Sequence, residues 1–303
     1  MQELDLGGYR LQYERHQDEI TVTGIAGITS ELLIPDTIEA CKVVSIEKKA
    51  FMANRTIKSV TLPKTMREIG DWAFAHCDML KEISLYPNEI AIGKGIVLNS
   101  DKLAKVNIVC PPKEAQFTKE ELSQLACLLA STLTVLDAPF LFTPHLVGST
   151  QWLKQYETRV SHFLARDDME DYAKTVSCGE EDYESTNLDN FLSEKRKAKV
   201  RMIFVRLLGC YALAEKDRDA YMQYLRQHMP PEAENETWQV VRDEHGDEEA
   251  YFEVMAQAGC ITNDNIQTLI ADLGQTRAQM RAYLLRYQQT KLAKVDFFDS
   301  FSL

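Results

Sequence analysis

No run of apolar residues in this 303-residue chain reaches the ~18–20 that a membrane-spanning helix requires, so no transmembrane span or membrane insertion is expected. The opening stretch MQELDLGGYRLQYERHQDEI mixes acidic and basic groups around no apolar run, which argues against a signal peptide. Close cysteine pairs are missing as well. The seven cysteines lie scattered at 41, 77, 110, 127, 178, 210 and 260, and that odd, dispersed set spells neither a disulfide framework nor a zinc site. Buried, reduced thiols in a cytoplasmic location are the expectation. Positive charge is in deficit, at a net −12, with 14 basic and 15 acidic residues through Lys113 against 20 and 31 beyond it. That acidic second half disfavours nucleic acid and anionic membrane surfaces and weakly favours a basic protein partner.

Catalytic signatures are absent too. The chain holds no G-x-S-x-G elbow, Walker loop, dinucleotide glycine fingerprint, H-E-x-x-H or calcium loop. Its six histidines are dispersed, and His76-Cys77 is the only adjacent His/Cys pair. The acidic string Asp167-Asp168-Met169-Glu170-Asp171 could serve a metal or acid/base chemistry, but a carboxylate cluster stabilised by a helix start is the preferred reading. No catalytic residue, metal ligand or cofactor is assigned, and the chain is not expected to be an enzyme.

What the sequence does contain is a threefold pattern from Val43 to Ile108. Ile46, Ala50, Phe51, Ile57, Val60 and Leu62 recur 23 positions later as Ile69, Ala73, Phe74, Leu80, Ile83 and Leu85. A further 23 positions give Ile92, Ile96, Val97, Leu103, Val106 and Ile108. A stack of turns needs the same kind of side chain at the same depth in every turn, and six apolar columns in one register supply it. Val60 and Leu62 alternate with Ser59 and Thr61, and Ile83 and Leu85 with Glu82 and Ser84, the period of a strand with one buried face. Prolines at Ile34-Pro35, Leu62-Pro63 and Tyr86-Pro87 then end each strand. Gly70 and Gly93 suit a bend with unusual φ. The Ala73-Phe74 pair is expected to wedge a short return segment against the core.

The strings IPDTIEACKVVSIEKKAF, LPKTMREIGDWAFAHCDMLKEISL and IAIGKGIVLNSDKLAKVNI resemble the BspA-like leucine-rich-repeat family. The second copy, with Cys77, fits the family pattern almost perfectly. The first has Glu47 for the glycine and Asn54 for the cysteine, and the third lacks both the aromatic and the cysteine. The resemblance implies a right-handed stack of short parallel strands used for protein recognition, and no chemistry.

Before the repeats, Tyr9 to Tyr13 and Ile20 to Thr23 alternate like the arms of a hairpin, whose expected task is to cover the first rung. Cys110-Pro111-Pro112 ends the last rung, giving domains of 1–112 and 113–303. Thr118 and Glu121 then form a capping box for a helix to about Leu133. The face made by Leu122, Leu125, Ala126 and Leu129 either closes the stack or opens the second domain, and residues 137–147 read as a connecting loop. Helical stripes follow at Trp152, Leu153, Tyr156, Val160, Phe163 and Leu164, and at Leu188, Phe191 and Leu192. The run MIFVRLLGCYAL marks a central helix enclosed by others. Upstream of it, the basic string Glu194 to Lys199 reads as a solvated helix end facing acidic neighbours. Further helices are expected over Asp219 to His228, closed by Pro230-Pro231, then Glu249 to Ala258 capped by Gly259, Asp264 to Leu273 ended at Gly274, and Thr276 to about Gln289. The tail, with Phe297, Phe298 and Phe301, either docks on the body or stays free; docking is favoured.

The fold class is therefore α+β: a short leucine-rich-repeat solenoid with a hairpin cap, then an all-α domain of ankyrin-like or other α-solenoid layout. The corresponding function is a non-catalytic scaffold for a protein partner, its identity and the oligomeric state left open. The alternatives are a surface adhesion protein of the BspA-like type and an unrecognised enzyme in the helical half. The candidate contact residues are the small and polar side chains opposite the buried columns: Ser59, Thr61, Glu82, Ser84, Lys105 and Asn107.

Overall fold

The computed structural model describes residues 2–109, 117–170, 172, 187–229 and 235–292. Cys110, Cys178, Asp171, the Pro111-Pro112 and Pro230-Pro231 pairs and the Phe-rich tail lie outside them. The chain divides into two compact units, Met1–Phe163 and Leu164–Leu303.

The first unit is a β-solenoid of about four turns. One sheet carries β4 (Glu31–Leu33), β7 (Ser59–Thr61), β9 (Glu82–Leu85) and β11 (Lys105–Ile108), all parallel, in the order β11-β9-β7-β4. Val60, Ile83 and Val106 stand in one register on its inner face and are buried. A second sheet joins β6 (Cys41–Ile46), β8 (Glu68–Ile69) and β10 (Ala91–Ile92) in parallel, pairing Ile46 with Ile69 and Ile69 with Ile92. Each full turn therefore supplies two strands, where the sequence pattern announces one. A strand of two residues is too short to show alternation.

The hairpin of β2 (Tyr9–His16) and β3 (Glu19–Gly27) caps the stack as expected: β3 runs parallel to β6 and covers the first rung. Ahead of it, β1 (Gln2–Asp5) adds an antiparallel strand, and β5 (Thr37–Ile38) folds back on β6.

Between the sheets the return segments form a third ladder. The amides of Phe51 and Phe74 donate to the carbonyls of Ala73 and Ile96 one rung on, each at 2.8 Å. Two columns of this ladder are left-handed: Lys49, Trp72 and Gly95 have φ of 62°, 54° and 55°, and Ala53, His76 and Asn99 have φ of 60°, 57° and 54°. Gly70 and Gly93, by contrast, are not among the positive-φ residues. A Cβ on Gly70 would lie 2.6 Å from the Lys48 backbone nitrogen, and one on Gly93 would collide with Asp71. These glycines are needed because successive rungs touch there, which corrects the expected unusual φ. Glu47, first in that column, has its amide on the capping strand instead, donating to Val22 O at 2.8 Å.

Phe51 and Phe74 stack in the interior with ring centroids 5.1 Å apart. Beside them, the Cys77 thiol donates to Phe51 O at 3.2 Å. One rung later the Ser100 hydroxyl donates to Phe74 O at 2.7 Å and accepts the Cys77 amide at 2.9 Å. Serine does in the third copy what cysteine does in the second, so the column survives a substitution that reads as a departure.

Helix α1 (Lys119–Thr134) begins at Thr118 with the expected capping box: the Glu121 amide donates to Thr118 Oγ1 at 3.2 Å and the Thr118 amide to Glu121 Oε2 at 2.7 Å. It packs against β11, so its apolar face closes the stack. The described residues 117–163 fall in the same compact unit as the repeats. The loop that follows turns through Pro139–Leu141, whose last carbonyl accepts Trp152 Nε1 of α2 (Thr150–Leu164) at 2.9 Å. Tyr156 of α2 reaches Ser131 of α1 at 2.7 Å.

In the second unit α3 (Leu188–Leu208) is central and packs against α4 (Glu215–Gln227), α5 (Glu236–Glu244) and α6 (Glu249–Gln257). It stops at Leu208 rather than running on through the apolar string to Leu213. Fully buried Arg206 folds over its end and donates to the carbonyls of Gly209 and Tyr211. α4 starts at Glu215, a turn earlier than its periodicity indicates, and α5 is not foreseen at all. α7 (Ile266–Asp272) and α8 (Ala278–Tyr287) complete the unit. Gly259 and Gly274 adopt φ of 73° and 61° after α6 and α7, the left-handed cap expected of them.

Candidate interaction face

The outer side of the β11-β9-β7-β4 sheet collects all six candidate residues. Strand register lines them up in two rows: Glu31, Ser59, Glu82 and Lys105, then Leu33, Thr61, Ser84 and Asn107. Their neighbours in sequence point inward, so alternation leaves these side chains exposed or half-exposed. Glu31 and Leu33 complete the rows and were missed. Glu31 pairs with Ser59, a step of 28, whereas Ser59 pairs with Glu82, a step of 23. The extra residues form the β5–β6 turn. The available signal was Leu32 and Ile34-Pro35, which repeat the phrase Val60 and Leu62-Pro63.

The two ends of the rows differ. At the β11 end, Lys105 Nζ bonds Ser123 Oγ of α1 at 3.0 Å, and Asn107 Nδ2 donates to Glu82 Oε2 at 3.1 Å. Burial pushes up the α1 thiol of Cys127; the charge of Lys105 opposes the rise and that of Glu82 adds to it. Helix α1 therefore lies beside Lys105. The chain's own helix already uses that end of the face. Toward β4, the small side chains Ser59, Thr61 and Ser84 leave a shallow surface bordered by exposed Leu33.

Among the described residues no group of three His, Cys, Asp or Glu is placed to hold a metal. Burial pushes the Cys77 thiol up to about 11 and the Cys260 thiol up to about 12, so neither is a ready thiolate nucleophile. In the second unit, Asp168 accepts from Lys199 Nζ at 2.7 Å and Arg196 Nε at 3.2 Å, and Arg196 also reaches buried Glu236 at 3.4 Å. Burial raises the Asp168 carboxyl, but the bonds and charges of Lys199 and Arg196 outweigh it and hold the group below its ordinary range. The acidic neighbours expected for the basic string are there, but Lys199 is buried rather than solvated. Both carboxylates are committed to cations, an arrangement that ties the 167–170 turn and α5 to α3.

Residues 36–125 match the model of the BspA type leucine rich repeat region, in six copies. This segment is a BspA-type leucine-rich-repeat region. Solved structures similar to parts of the chain include a leucine rich cell surface protein from Faecalibacterium prausnitzii A2-165. It is 24% identical over 36% of this chain and 30% of that one, with a TM-score of 0.30. A leucine-rich repeat protein from Bacteroides capillosus is 25% identical over 40% of this chain and 91% of that one, with a TM-score of 0.31. A T. pallidum leucine-rich-repeat protein is 20% identical over 35% and 72%, at 0.25. The match thus spans less than a third of the F. prausnitzii chain. No curated protein matches this sequence. The BspA-type match begins after β4, covers the strands from β5 to β11 and ends within α1, and helices α2 to α8 lie beyond it.

Proposed function

We propose that the chain is a non-catalytic protein-interaction scaffold whose partner docks on the β4–β7–β9 part of the outer sheet. The observation that carries this reading is the asymmetry of the two rows. Small half-exposed side chains stand on a stiff parallel sheet at one end, while the other end is engaged by α1. Rigid backbone and small side chains admit a partner's protruding groups at little ordering cost. The free thiols of Cys41, Cys77, Cys127, Cys210 and Cys260 support a reducing, cytoplasmic setting. Adhesion at a cell surface is the second reading compatible with a BspA-type region, and fractionation with antibody detection separates the two.

The test is capture from native lysate followed by mass spectrometry and a binding titration. Ser59→Arg with Thr61→Arg should weaken the captured partner by more than about tenfold while leaving stability within ~0.5 kcal/mol. Gln223→Arg, on an exposed position of α4, should leave binding intact. Equal affinity for parent and both variants would remove this face from the reading.

A further inference from the structure

Strand β4 is an edge of its sheet, yet its outward backbone groups are occupied. Ser30 and Ile34 turn theirs to β7: Ser30 O accepts the Ser59 amide at 3.1 Å, and the Ile34 amide donates to Thr61 O at 3.0 Å. Alternation then aims those of Glu31 and Leu33 at the free edge. At Glu31 the amide donates to Thr29 Oγ1 at 3.1 Å, and the same hydroxyl donates to Glu31 O at 2.7 Å. Leu33 repeats the arrangement with Tyr9: its amide donates to Tyr9 Oη and its carbonyl accepts from that hydroxyl, both at 3.0 Å. Each hydroxyl acts as donor and acceptor to one residue, which is what a paired residue of an added antiparallel strand would do.

We infer that the β4 edge is a strand-addition site for a second copy of this chain, held closed by the hydroxyls of Thr29 and Tyr9. The occupant follows from the symmetry of the edge. Two β4 strands related by a twofold axis at Leu32 set Glu31 of each copy opposite Leu33 of the other. Both outward residues then fall in hydrogen-bonded positions, all their amides and carbonyls are matched, and no carboxylate faces a carboxylate. Glu31 is exposed and Leu33 is 58% exposed, so neither side chain obstructs the approach. An unprotected edge of this kind is a template for association, and the two hydroxyls remove that template without a covering helix. The inference does not depend on the partner face proposed above.

Sedimentation of the full chain over a range of concentrations tests it. Tyr9→Phe with Thr29→Val should strengthen self-association by at least about tenfold over the parent, since the four exposed edge groups then have only water, and no internal bond, to give up when a second strand pairs with them. Adding Leu33→Glu to that pair should abolish the gain by opposing two carboxylates to two others, whereas adding Leu33→Lys should keep it. Association unchanged from the parent in a folded double variant, or indifferent to Leu33→Glu, overturns the inference. If the double variant does not fold, Tyr9→Phe alone decides. Amide exchange at Leu33 should quicken at low concentration and slow again as concentration rises; exchange equal to the parent at every concentration counts against the latch.

Discussion

In the repeat stack one bond is made again and again, whereas in the helical unit each bond is made once. Cys77 to Phe51 and Ser100 to Phe74 are the same contact one rung apart, as are the amides of Phe51 and Phe74 on the following rung. In the helical unit, Arg206 over the end of α3 and the Asp168–Lys199–Arg196–Glu236 network have no counterparts among the described residues. Repetition spreads stability along the stack through nearest-neighbour contacts. Singular contacts concentrate it, and make the helical unit sensitive to conditions that a column of hydrocarbon does not register.

That contrast can be pressed from its strongest point downward. Phe74→Ala should cost ~3–5 kcal/mol, because it empties a fully buried site and removes a ring stack. Denaturant titration checks it, and loss confined to the stack would show that the rungs melt as one body. Next come two glycines with different reasons to exist. Gly70→Ala should cost roughly 1–3 kcal/mol, since the added carbon meets the backbone of the preceding rung. Gly274→Ala, at φ 61° with open space around it, should cost only about 1 kcal/mol. If the two are equal, contact between rungs is looser than it looks.

The smallest effect concerns acid. The Asp168 carboxyl is held below its ordinary range in the folded chain. A group depressed on folding adds stability above its unfolded value and loses it as the pH falls. The helical unit should therefore weaken as the pH drops below about 4, while Asp168→Asn should weaken it at neutral pH and flatten that slope. The side chains of Asp168 and Lys199 keep 25% and 11% of their exposure, so solvent screening holds the effect to roughly 0.5–1 kcal/mol. A slope identical in parent and variant would assign the acid response elsewhere.

How legible each unit was follows from the same difference. The six apolar columns, the stacked phenylalanines, the hairpin cap and the Thr118–Glu121 box rest on residues near in sequence or repeated at a fixed step, and all could be read directly. Strand β4 was hidden because its step is 28 where the next is 23. Ser100 was hidden because a hydroxyl and a thiol look unlike on the page while making the same bond. The ion network was unreadable for a different reason: Arg196 meets partners 28 and 40 residues away, on either side of it, with no pattern to announce them. The candidate face lay between these cases. Its six residues fell where alternation put them, but Lys105 is engaged by Ser123, and a contact between a strand and a later helix leaves no trace in strand period.

The paired columns of left-handed residues at 49, 72, 95 and at 53, 76, 99 set a rule for how such a chain can change length. Insertion of a whole block returns every residue to its own backbone conformation. Insertion of one residue inside the return segment would ask a β-branched or interior side chain to take a twist it resists. Spare length can collect only where no column passes, and the long first turn shows one such corner, the reversal between Ile38 and Cys41.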